Sequence, residues 1–225
     1  MRYLFLLNPT AGKRDCTTGL TPAIHAAAGR AGIPPEKLQV VVTQYAGHAR
    51  ALAAEAARTA EAEGEPVRIW TAGGDGTFNE ALTGANGCAL AAVGCLPFGS
   101  GNDFLRTYGG GFCAAPEARP DDGWLDVFII RRVGRLTIAR LLGMYKGGKH
   151  FRDGALTEQA KPYFLYRRAK CVSLRPADGR GPIVATADGE CAPCEAITAR
   201  LRPLAGHVLL PKPAYERFMA QRASV

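Results

Sequence analysis

With 225 residues and a hydrophobic fraction of 47%, the chain can bury the core of one large domain or two small ones. A net charge of +8 implies attraction to something anionic (nucleotide, nucleic acid or acidic membrane), although a solvated basic surface produces the same balance. No zinc-finger spacing or RNA-recognition aromatic motif supports nucleic acid, and no window approaches a transmembrane helix. The first nine residues are too short for a signal h-region, and seven scattered cysteines suit a reducing compartment, so a cytosolic protein is expected.

Residues 2–7 read as a first strand, apolar on both faces as parallel strands are. Asn8-Pro9-Thr10-Ala11-Gly12 follows as a turn, ending in the cations Lys13 and Arg14. A helical segment runs through residues 23–28, and Pro34-Pro35 leads to a second strand over 38–43. Gly47-His48 opens an alanine-rich helix reaching Glu63. The third strand, 67–71, runs into Ala72-Gly73-Gly74-Asp75-Gly76-Thr77-Phe78-Asn79-Glu80, and helical composition continues from Phe78 to near Gly84. A fourth apolar run, 89–96, ends at Pro97. Strands alternating with helices predict βαβ units and a parallel sheet. Ligands of such sheets bind beyond the carboxyl ends of strands, where Thr43, the Gly73 turn and the segment after Leu96 all fall.

Strand, glycine turn and helix start together make an anion site, because glycines admit a close ligand and helix N-terminal N–H groups point at phosphate oxygens. Asp75 makes the turn informative. A carboxylate there would repel a phosphate unless a metal lay between them, which suggests a Mg²⁺-bound polyphosphate. The Walker A pattern is absent, and Asn79 stands where a dinucleotide fingerprint needs its third glycine. A purely structural turn is the competing explanation, since Gly-Gly-Asp-Gly is also good turn chemistry.

A second glycine loop, Leu96-Pro97-Phe98-Gly99-Ser100-Gly101-Asn102-Asp103-Phe104, falls at the neighbouring strand end. Asp103 could cap a short helix there or share a phosphate and metal site with Asp75. Further on, Asp121-Asp122-Gly123 reads as a turn before a strand over 125–130, and helical periodicity follows from Arg135 to Tyr145. β-like runs come at 169–174, 183–187 and 206–211. Asp188-Gly189-Glu190 between them has the look of a hairpin turn. Cys191 and Cys194 form the only Cys-x-x-Cys pair, which lacks the other ligands of a structural zinc. Residues 163–170 mix aromatics with cations; they could dock on anionic headgroups or bury their rings in a strand.

Taken in order, Asn8-Pro9-x-Ala11-Gly12, Gly73-Gly74-Asp75-Gly76-Thr77-x-Asn79-Glu80 and Leu96-Pro97-x-Gly99-Ser100-Gly101-Asn102-Asp103-Phe104 resemble the diacylglycerol kinase catalytic domain. The form is that of the bacterial lipid kinases, which are related to sphingosine kinases. NAD kinases share the Gly-Gly-Asp-Gly turn, but the Pro-x-Gly-Ser-Gly-Asn-Asp-Phe loop is the lipid kinase form. The later segments Gly110-Gly111-Phe112 and Pro120-Asp121-Asp122-Gly123-Trp124-Leu125-Asp126-Val127 are similar to the opening of that family's β-rich section.

The resemblance implies an N-terminal Rossmann-like parallel α/β domain (1–108), a shortened C-terminal β-sandwich domain (109–213) and a tail (214–225). It implies ATP and Mg²⁺ as cofactors, held by Asn8, Thr43, Gly73, Gly74, Asp75, Gly76, Thr77, Phe78, Asn79, Ser100 and Asp103. Lys13 and Arg14 would be further phosphate contacts. Asp75 would be catalytic with Glu190, the latter as general base. Asp122, with the main-chain carbonyls of Arg119 and Trp124, would hold a structural Mg²⁺. The acceptor would be a lipid presented at a membrane surface, with peripheral association at the inner face of the plasma membrane. The chain also departs from the family, since several dozen residues are missing between Arg106 and Gly110. A catalytically silent nucleotide-binding remnant and a soluble-substrate kinase of the NAD kinase type are the alternatives.

Overall fold

The computed structural model describes residues 1–12, 15–99, 113, 115–119, 121–177, 181–187, 190–203 and 205–223. The chain folds as two units, Met1–Gly109 with Leu204–Val225, and Gly110–Pro203. The first unit runs β1 (Arg2–Leu7), α1 (Thr17–Arg30), a 3-10 turn (Pro35–Lys37), β2 (Leu38–Val42), α2 (His48–Glu63), β3 (Val67–Gly73), α3 (Asp75–Gly84) and β4 (Ala91–Pro97). The second contains β5 (Leu125–Ile130), α4 (Arg135–Lys146), β6 (Phe151–Arg152), β7 (Ala155–Leu156), β8 (Phe164–Ala169), β9 (Cys171–Leu174), β10 (Ile183–Ala187), β11 (Glu190–Cys194) and β12 (Ile197–Arg200). Strand β13 (His207–Leu209) and helix α5 (Lys212–Ala223) then belong to the first unit.

Five parallel strands form one sheet in the order β13-β4-β3-β1-β2. The expected parallel α/β architecture is therefore present. Two details differ. The run at 206–211 was expected in the β-rich part, but β13 adds to the free edge of β4 instead, pairing His207 with Ala92 and Leu209 with Gly94. The second compact unit accordingly ends at Pro203, and residues 212–223 form helix α5. A short strand can take either role, and only the unpaired edge of β4 decides between them.

Alternation along the strands builds two layers. Leu4, Leu6, Val67, Ile69 and Val93 pack with Phe78 of α3 and the alanines of α2. Leu7 and Ala72 instead meet Ile24 of α1, with Phe5, Leu20 and Leu96 around them. Leu6, Leu7 and Ile69 are wholly buried, each worth about 1.5–3 kcal/mol relative to exposure. Helix α2 presents Ala49, Ala53, Ala57 and Ala60 as one small-residue stripe. That stripe lets α3 approach so closely that a Cβ on Gly84 would lie 2.2 Å from the Arg50 carbonyl oxygen.

In the second unit the described strands pair antiparallel as β5–β8, β6–β7, β9–β12 and β10–β11. Its small core joins Leu141 of α4 to Ala160 and Phe164. The 163–170 stretch lies largely in β8, where Phe164 is only 2% exposed, so this ring serves the core and not a headgroup contact. Tyr166 donates a hydrogen bond to Asp126. Burial, reinforced by that carboxylate, pushes its phenol up to about 12.

Candidate functional site

The order of the sheet locates the site. After β1 the chain moves to β2 on one side, then crosses to β3 on the other. The connections leave β1 and β3 on opposite faces, and the crevice between their carboxyl ends is where ligands of open α/β sheets bind. Asn8 follows β1 and Gly73 ends β3.

Asn8 joins the two ends. Its backbone N–H donates to the Ala72 carbonyl at 2.9 Å, continuing the ladder by one residue. The side-chain oxygen accepts from the Thr10 N–H at 3.0 Å and the Thr10 hydroxyl at 2.8 Å. An N–H can only donate, so the amide oxygen must face Thr10 and the NH₂ must face α3, where it donates to Thr77 Oγ1 at 2.9 Å. Replacing Asn8 by Ala removes all three side-chain bonds and should cost about 2–3 kcal/mol in thermal or denaturant unfolding. Asn8→Asp keeps the Thr10 bonds but places a carboxylate against Thr77 Oγ1, and should recover only part of that loss.

The glycines of the turn do different work. A Cβ on Gly73 would meet Thr77 Oγ1 at 2.5 Å, so this glycine is required by the contact that seats α3 on β3. Gly76 has nothing within 4 Å of its Cβ position and is exposed, leaving its backbone open to an incoming group. Gly74 is the N-cap of α3, with extended backbone and ordinary contact to Gly99. The N–H groups of the first helical turn have no carbonyl one turn below to accept them, and there the helix dipole favours an anion.

Loops from three strand ends interlock around this turn. The Gly73 carbonyl accepts from both Phe98 N–H, at 3.0 Å, and Gly99 N–H, at 2.9 Å. Gly12, at φ +76°, brings the loop after β1 so near that a Cβ would lie 2.3 Å from the Phe98 oxygen. The second glycine loop thus sits beside the first, as the sequence suggested. Ser100, Asp103, Lys13 and Arg14 lie outside the described residues.

Asp75 is half-buried, and Gly76 and Asn79 are exposed on the same end of α3. Burial above all, with the nearby Asp75 carboxylate adding to it, pushes the Cys95 thiol up, while its hydrogen bond with Thr71 acts the other way. The bonds from Phe98 and Gly99 to the Gly73 carbonyl set the turn that carries Asp75 beside the end of β4 as well as β3. Two expected contacts read differently in three dimensions. Phe78 is buried in the core, and its N–H is committed to the Gly74 carbonyl at 3.2 Å. Thr43 is also buried; its N–H and hydroxyl both donate to the Leu7 carbonyl, at 2.8 and 3.3 Å, so it positions strand ends. Glu80, quoted in the motif without a role, accepts from Gly47 N–H at 2.9 Å and ties α3 to the loop before α2.

The second unit carries the remaining candidates. Glu190 opens β11 opposite Ala187, its side chain lying outside the described part of the structure, as do Asp188 and Gly189. At Asp122, Oδ1 accepts from Trp124 N–H at 3.0 Å across Gly123, whose φ is +78°. Oδ2 pairs with Arg168. This carboxylate is engaged as a turn cap and ion pair, and a cation would have to displace a guanidinium. Among the described residues no group of three His, Cys, Asp or Glu converges on a point. The ion expected at Arg119, Asp122 and Trp124 draws on one carboxylate and two main-chain carbonyls, and would compete with Arg168 for that carboxylate.

A family model for the diacylglycerol kinase catalytic domain matches residues 2–119, more than half of the chain. The chain belongs to that family. A second model, the YegS C-terminal NAD kinase beta sandwich-like domain, matches residues 104–210 of this family member. Among solved structures, a chain described as "a putative diacylglycerol kinase from Bacillus anthracis str. Sterne" is 17% identical at a TM-score of 0.53, covering 88% of this chain and 94% of that one. That likeness concerns the fold. Another structure under the same description is 30% identical with a TM-score of 0.37, and this chain covers 48% of its own length and 36% of that chain. No curated protein matches this diacylglycerol kinase family member in sequence. Among its described residues no helix is long and apolar enough to cross a membrane.

Proposed function

We propose that this protein transfers the γ-phosphoryl group of ATP to the hydroxyl of a lipid, diacylglycerol or a relative, presented at a membrane surface. The observation that carries the reading is the seating of Asp75, with the open backbone of Gly76, at the switch point of the sheet, held there by the Asn8–Thr77 bond. Phosphoryl transfer depends mainly on positioning and charge stabilisation, and this turn would serve both. The backbone of Gly74 to Thr77 would receive the phosphates. Asp75 would hold Mg²⁺, which takes one or two carboxylates alongside phosphate oxygens. When bound, the ion would neutralise charge on the transferred group. Glu190 would accept the proton from the attacking hydroxyl, and Ser100 and Asp103 would complete the phosphate side.

A second reading is supported by the surface of the β-rich unit, where Ile129, Leu174 and Val184 are exposed on short two-stranded pairs. Such edges suit a nucleotide-binding remnant without turnover. Labelled ATP supplied with diacylglycerol, sphingosine or NAD separates the readings. Label transferred to a lipid supports the proposal, and transfer to NAD alone redirects it. ATP bound with no acceptor labelled identifies the remnant.

A further inference from the structure

We infer that α4 and the loop before it form a surface that docks on an anionic lipid bilayer. Between Val127 and Arg152 the sequence has no aspartate or glutamate. Arg131, Arg132, Arg135, Arg140, Lys146 and Lys149 are all exposed in that span. Helix α4 is anchored through Leu141, with Met144 and Tyr145 on the same side. Beside that anchor Ile138 remains 52% exposed and Leu142 51%.

The spacing makes this a built surface. Arg135, Ile138, Leu142 and Lys146 fall at i, i+3, i+7 and i+11, which is one ridge of an α-helix. Two branched apolar side chains thus stand in line between two cations, with Arg131 and Arg132 just before the helix. An interfacial helix lays its apolar side chains into the acyl boundary while its cations reach lipid phosphates and its stems snorkel. A second copy of the chain fits poorly, because a two-fold interface would press this cationic helix against itself. Nucleic acid would answer the charge but give Ile138 and Leu142 nothing apolar to enter. A lipid acceptor gives the docking its purpose, yet the surface stands on α4 alone.

The test is co-sedimentation of the full chain, without nucleotide, with phosphatidylcholine vesicles that contain or lack phosphatidylglycerol. Wild-type protein should pellet with the anionic vesicles and stay in solution with the neutral ones. Arg135→Gln/Lys146→Gln should weaken binding about 30-fold at low ionic strength. Ile138→Ser/Leu142→Ser should weaken it about tenfold or more, while Val184→Ser, an apolar loss at an exposed site in β10, should leave it unchanged. Unaltered melting curves establish that the variants fold. Absence of wild-type binding, or wild-type binding by both double variants, overturns the inference. So does self-association in sedimentation velocity that Ile138→Ser/Leu142→Ser abolishes, or oligonucleotide binding that replaces vesicle binding. Phosphorylation of detergent-dispersed acceptor is measured separately, so failure of docking and failure of the kinase reading are distinct results.

Discussion

Substituting Asp75 by Asn is expected to reduce lipid phosphorylation about 10²–10³-fold with little change in stability. The two side chains have nearly the same shape, so the Gly73–Thr77 packing and the Asn8–Thr77 bond survive the change. What disappears is a negative charge at the first turn of α3. Loss of that charge at a helix N-terminus costs only about 0.3–1 kcal/mol of folding free energy. Its loss beside a polyphosphate removes the ligand proposed for the cation, and the transition state then keeps charge that nothing neutralises. Rate should fall much more than nucleotide affinity, because backbone amides still receive the phosphates. Steady-state kinetics and ATP titration at fixed Mg²⁺ provide the two numbers. Near wild-type turnover in Asp75→Asn removes this residue from the mechanism, and the same result for Glu190→Gln removes the proposed base.

The second large effect is on the fold. Gly84→Ala should destabilise the first unit by about 2–4 kcal/mol, at or beyond the usual cost of overpacking. The added methyl would sit 2.2 Å from Arg50 O and 3.0 Å from Ala54 N, both of them backbone atoms of α2. Rotamer changes cannot relieve such a contact, so α2 must move off α3 and loosen the alanine stripe that seals the core. A drop in melting temperature on the order of 10 °C is expected. Gly19→Ala is the informative contrast. Its Cβ would meet nothing within 4 Å inside α1, and alanine there should stabilise by about 0.5–1 kcal/mol. Equal and small effects at both positions would show that α2 and α3 are not in close contact.

Much of this molecule is legible in its sequence. The strands at 2–7 and 125–130 and the helix ending at Glu63 stand where composition and period put them, because alternation and alanine content act locally. The turn from Gly73 is visible for the same reason, since strand, glycines and first-turn acid are consecutive. Local pattern is ambiguous where two kinds of chemistry share it. Asp121-Asp122-Gly123 has turn chemistry and ion chemistry alike, and the Arg168 partner that favours the turn lies 46 residues away.

Sequence alone determined a parallel α/β unit, a glycine turn suited to phosphate and a β-rich remainder, each from residues close together in the chain. Tertiary structure decided which groups that turn leans on. Asn8 meets Thr77 across 69 positions, Glu80 meets Gly47 across 33, and β13, later in the chain than every strand of the second unit, pairs with β4. The same holds for Thr43 and Phe78, whose inward orientation follows from sheet order and helix packing. Contacts of this kind leave no periodic trace, because they depend on where distant strands come to rest beside one another.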